Sequence, residues 1–110
     1  MNQSIKDTAQ MFMNGWITGD IEKAFKCTQL SWRQRKDPAD LEIMLHRLSP
    51  EIQLGFYVVD ENQFRADVRI KTMTGSDEIT LQMRMIRETK PFVVSARGEW
   101  GVNPASIHEV

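Results

Sequence analysis

Apolar and polar side chains alternate one for one through the middle of this chain. Phe64, Ala66, Val68 and Ile70 are separated by Arg65, Asp67, Arg69 and Lys71. A strand sends successive side chains to opposite faces, so the pattern predicts a sheet with one buried and one wetted surface. The same period predicts a first strand with Ile52, Leu54, Phe56 and Val58 inward, and a third with Ile79, Leu81, Met83 and Met85 inward. A fourth strand follows with Phe92, Val94, Ala96, Gly98, Trp100 and Val102 inward, ended by Asn103 and Pro104. Asp60, Glu61 and Asn62 suit a three-residue hairpin that places Val58 opposite Phe64 and Phe56 opposite Ala66. Thr74 and Gly75, or the wider span 73–76, turn the second strand into the third. The tighter turn sets Val68 against Leu81 and Arg65 against Arg84, and Lys90 with Pro91 makes the last turn.

The first fifty residues change to a helical period. Ser4 and Asp7 resemble a capping box, after which Ile5, Ala9, Phe12 and Trp16 recur on one face as far as Gly19. Asp20 caps a second helix with Ile21, Ala24, Phe25 and Thr28 inward. Residues 30–36 show no clear pattern. Asp37, Pro38 and Asp40 then start a third helix whose stripe is Leu41, Met44, Leu45 and Leu48, closed by Ser49 and Pro50. His46 lies four residues after Glu42 on the opposite face, the spacing of a solvated Glu-His pair. The elements predict an α+β fold: three N-terminal helices packed on a curved four-stranded antiparallel meander, as a single domain over residues 1–110.

Composition narrows the function. Hydrophobic residues make up 41% and charged residues 26% of 110, enough for a core without staples. Fourteen Lys and Arg against fifteen Asp and Glu leave a formal charge of -1, so no global field favours nucleic acid or an anionic membrane. The single Cys27 cannot form an internal disulfide and sits beside an apolar stripe, as an inert thiol does. Lys6 and Asp7 interrupt the N-terminal stretch, which lacks the apolar run of a signal peptide, and the expected compartment is the cytoplasm. No Cys/His spacing, phosphate loop or HExxH motif occurs, so neither cofactor nor metal is expected.

Residues 12–24, with the Gly19-Asp20 turn followed by Glu22-Lys23-Ala24, resemble the first helical turn of nuclear transport factor 2-like domains, the cystatin-like α+β cones. Ala66, Val68, Gly75, the alternating residues 79–85 and Trp100 are similar to their paired strands. The resemblance implies a sheet curved around the first helix, a cone able to hold an apolar pocket, and homodimerisation through the sheet. Its catalytic members carry acids, histidines or tyrosines inside the cone, whereas the inner positions read here carry no group able to exchange a proton at neutral pH. Asp40, Glu42, His46 and Tyr57 could reach the cone's mouth.

A non-enzymatic domain is therefore expected, one that homodimerises through the outer sheet face and can bind a small apolar molecule or a protein partner. The candidate pocket, if small residues floor a cavity rather than let a helix approach, comprises Phe12, Trp16, Phe25, Phe56, Phe64, Ala66, Ala96, Gly98 and Trp100. The candidate interaction face comprises Tyr57, Arg65, Asp67, Arg69, Arg84, Val93 and Arg97, where Arg65 against Arg84 invites an acidic partner. An isomerase or dehydratase with its site in the cone is the alternative. A nucleic-acid module using the arginine face is the second.

Overall fold

The structure is a computed structural model that describes residues 4–89 and 93–110. Lys90, Pro91 and Phe92, read from the sequence as the last turn and the start of the fourth strand, lie outside the described residues. Helices α1 (Ile5–Thr18), α2 (Ile21–Phe25), α3 (Leu30–Arg35) and α4 (Pro38–Leu45) precede strands β1 (Ile52–Glu61), β2 (Arg65–Thr74), β3 (Asp77–Thr89), β4 (Val93–Val94) and β5 (Glu99–Glu109). This is an α+β fold in which N-terminal helices cover an open antiparallel sheet, the order that the hydrophobic period predicts.

The cap signals act as expected. Ser4 Oγ accepts the Asp7 N–H, Asp20 caps α2 through the Lys23 N–H, and Asp37 with Asp40 forms a reciprocal capping box on α4. Gly19 ends α1 at φ 79°, a left-handed conformation that glycine adopts without steric cost. Helix α2 stops at Phe25, so Thr28 falls outside it. Residues 30–35 form α3, which periodicity does not reveal, because its support is tertiary: the Glu88 carboxylate accepts the Ser31 N–H and Trp32 meets Phe25 edge to face at 6.0 Å.

In the sheet, β1, β2 and β3 pair in order and β5 lies on the far side of β3. Val58 pairs with Val68 and Phe56 with Ile70, not with Phe64 and Ala66. The loop is residues 62–64, where the Asn62 side chain accepts the N–H groups of Phe64 and Arg65. Gly75 and Ser76 form the second turn, with Gly75 at φ 62°, so Val68 meets Met83 and Arg84 meets Asp67. Both corrections displace partners by an even number of residues, which preserves the faces. Ala66, Val68, Ile70, Leu81, Met83 and Met85 are accordingly buried in the core with Phe12, Met13 and Trp16.

Parity fails in the outer strands. Register shifts at residues 53–55 and 58–60 bulge β1, turning Ile52 to the polar face and leaving Leu54 and Val59 in the bulges. The expected fourth strand is two. Glu88 pairs with Val94 of β4 on one side and Glu99 of β5 on the other, so residues 95–98 cross the end of β3. Strand β5 also runs on past Pro104, through a stretch out of register with β3 where Ser106 Oγ accepts the Arg84 N–H. A proline is tolerated at such an irregularity because no ladder donor is needed from it.

The two sheet edges differ. Beside β5, Val102 donates its N–H to the Cys27 carbonyl at 2.8 Å and accepts the Gln29 N–H at 2.9 Å. Gly101 makes room for this: a Cβ there would stand 2.3 Å from Gln29 Cα. Among the described residues β1 pairs only with β2, and α1 and α4 lie toward β5. Gly101→Ala should cost about 1–3 kcal/mol of stability by overpacking, while Gly55→Ala, with open space at its Cβ, should stay within about 0.5 kcal/mol. Urea unfolding of the two variants measures the difference.

Candidate functional site

The nine pocket candidates do not form one cavity. Phe12, Trp16, Ala66 and Trp100 are buried in the packed core, and Phe25 and Phe56 lie against it. Phe12 and Trp16 meet edge to face at 6.1 Å, and the Arg87 guanidinium stands 5.5 Å from the Trp100 ring. Phe64 is exposed in the hairpin loop because the register places it outside the strand. Ala96 is half-buried in the 95–98 crossing. Gly98 is pressed against β3, where a Cβ would lie 2.2 Å from the Glu88 carbonyl carbon.

Two of the outer-face arginines find partners within the sheet. Arg84 Nε donates to Asp67 Oδ1 at 3.1 Å and Arg69 Nε donates to Gln82 Oε1 at 2.9 Å. Arg65 stands opposite Ile86, so the expected repulsion with Arg84 does not arise. Arg97 lies in the crossing segment, its N–H donated to Ser95 Oγ, and Val93 is exposed on β4. Tyr57, 43% exposed, lies on β1 opposite Arg69.

Open space lies instead beside β1. A cavity of about 620 Å³ runs between α1 and the strand, lined by Lys6, Gln10, Asn14 and Ile17 on one side and by Ile52, Leu54 and Phe56 on the other. A second, of about 500 Å³, meets it at Ile17 and Glu51 and passes Trp16, Leu45 and Leu48. Both volumes fall in the range of binding sites. Glu42 and His46 line the second cavity and both are exposed, whereas Asp40 is spent on the α4 cap. Among the described residues no group of three or more His, Cys, Asp or Glu could hold a metal ion, and no helix is long and apolar enough to cross a membrane.

Ile52, Leu54, Tyr57, Val58 and Val59 are each more than a third exposed, an apolar surface on both faces of one edge strand. Sequence periodicity conceals it, since alternation marks Ile52, Leu54 and Val58 as core; the available signal is the pair of bulges, which shows only in the register. Glu88 is the other residue that periodicity misses. It is 4% exposed, and its carboxylate is held by the α3 N–H group that it caps.

Models of known protein families, curated proteins and solved structures were compared with the chain, and none matches it.

Cys27 is 4% exposed, and burial pushes its thiol above the ordinary value of 9.0, opposed only in part by Arg33 and Lys23. A raised native pKa contributes stability that is present below pH 9.0 and lost as the pH rises through the native value. Unfolding free energy should therefore decline above pH 9.0 with a slope that Cys27→Ala reduces, and the native thiol should resist alkylation until urea unfolds the chain. Rapid alkylation of the folded protein would contradict this burial.

Proposed function

We propose that this is a non-enzymatic interaction domain that binds a protein partner by adding the partner's extended segment to the open edge of β1. The observation that carries it is the distribution of exposed apolar side chains. Tyr57 lies on the outer face, Val58 on the inner face, and Leu54 and Val59 in the bulges between. A helix lying in the groove would cover the inner side alone, whereas a strand laid along the edge covers both and satisfies the outward backbone groups. Natural edges are blunted with lysine, proline or bulges; β1 carries neither lysine nor proline, and its two bulges leave residues 55–58 as the regular stretch open to pairing. The homodimer expected through the outer face loses its motive once Arg84 pairs with Asp67, and Tyr57 is the candidate from that set that belongs to the edge. The resemblance of the sequence to nuclear transport factor 2-like domains assigns no role by itself, since a fold does not carry function.

The isomerase or dehydratase alternative has one observation in its favour, the exposed Glu42 and His46 lining the second cavity. It requires a substrate held between them, and it predicts that His46→Ala abolishes turnover.

Strand addition is tested with a capped, ten-residue synthetic peptide of alternating valine and threonine ending in glutamine. Saturable binding should slow hydrogen exchange of the outward β1 amides and weaken at least about tenfold, or about 1.4 kcal/mol, in Val59→Lys. Val59 is 46% exposed, so that variant should keep its unfolding midpoint. Binding that leaves β1 exchange unchanged would refute edge addition.

A further inference from the structure

Resting on strand addition at β1, we infer that the partner segment is apolar at its centre and carries a lysine or arginine where it meets Asp60. From 52 to 59 the strand bears no charged side chain, and acids stand at its ends: Glu51 before it, Asp60 and Glu61 at its close. Glu51 is already engaged, its carboxylate accepting the Gly75 N–H. Asp60 is not. The register sets it directly opposite Asp67 on the outer face, with Arg84 as the next residue in that row. Arg84 donates to Asp67, and among the described residues neither Asp60 nor Glu61 forms an ion pair.

Like charges directly opposite across an antiparallel pair are unfavourable; Arg65 and Arg69 flank Asp67 on β2, diagonal to Asp60, and the free edge of β1 offers the directly opposed position on the other side of Asp60. A strand added there places one of its side chains directly opposite Asp60 on the same face. A basic residue at that position offsets the Asp60–Asp67 repulsion, while an acidic one deepens it. Opposite Phe56 and Val58 the added strand meets the inner face, where an apolar side chain continues the rows through Ile70 and Val68, and it follows the irregularity at Val59 to bring its next side chain to the outer face beside Asp60.

A second copy of this chain is the less suitable occupant. Its own β1 contains no Lys or Arg. In an antiparallel pair centred on Tyr57, the residue facing Asp60 would be the partner copy's leucine at position 54, which supplies no charge. Centred on Phe56, the pair would set Glu51 against Glu61.

The test uses the intact chain and three peptides with the same alternating valine-threonine centre, ending in lysine, glutamine or glutamate. Fluorescence polarisation at low salt should rank lysine over glutamine over glutamate, with steps of about threefold, as expected for directly opposed charges. Asp60→Asn should flatten the ranking, and Asp60→Lys should invert it. Raised salt should compress it, because the pair is exposed. Equal affinities for all three peptides would overturn the charge assignment and leave strand addition standing; failure of the glutamine-ended peptide together with the other two would overturn strand addition itself. A ranking unchanged in Asp60→Asn would also overturn the assignment. So would a concentration-dependent dimer in sedimentation that Val59→Lys abolishes, which would make the occupant a second copy.

Discussion

Two backbone hydrogen bonds fix the segment after α2 to the edge of the sheet, beneath the packed core that joins the helices to it. Val102 of β5 donates to Cys27 and accepts from Gln29, so the segment after α2 runs along the sheet edge as a short parallel neighbour. The approach is close enough that Gly101 is required, since any side chain there would overlap the backbone of Gln29. Buried backbone groups need partners, and these bonds satisfy the β5 edge at Val102 while anchoring the start of α3. Glu88 reaches the same region from β3 and caps Ser31, and Arg33 reaches back to the Thr28 carbonyl and to Glu99. A five-residue and a six-residue helix, each too short to persist alone, are stabilised by these tertiary bonds.

That anchorage draws the helical layer toward β5 and leaves β1 overhanging. Phe12, Met13 and Leu41 fill the space above the central strands. The space beside β1 is a groove between Ile17 of α1 and Ile52, Leu54 and Phe56. One sheet edge is thus paired to the chain's own backbone, and the other presents apolar side chains and unpaired backbone groups to water. An unpaired edge is a template for an added strand, which is the basis of the proposed function. In the strand addition proposed above, the acidic residues at the ends of β1 act on specificity more than on affinity.

The faces of β2 and β3 were legible in the sequence even though both turns lay elsewhere than expected. Alternation has a period of two, and displacements by an even number of residues leave every side chain on its assigned face. Ala66, Val68, Ile70, Leu81, Met83 and Met85 are core for that reason. The pairing of charges had no such protection. A shift of two residues exchanged a directly opposed Arg65-Arg84 pair for an attractive Asp67-Arg84 pair. In β1 a single bulge was enough to invert parity at Ile52, and bulges leave no mark in hydrophobic alternation.

By itself the sequence determined the α+β class, the caps of α1, α2 and α4, and the inner face of the two central strands. Each of these depends on residues within a few positions of one another, where side-chain chemistry and period act directly. Tertiary structure alone decided the formation of α3, the division of the last strand, the burial of Glu88 and the opening of the β1 edge. Those depend on which backbone lies beside which, and nothing in the local pattern records that Gly101 admits Gln29 or that the helices lean toward β5.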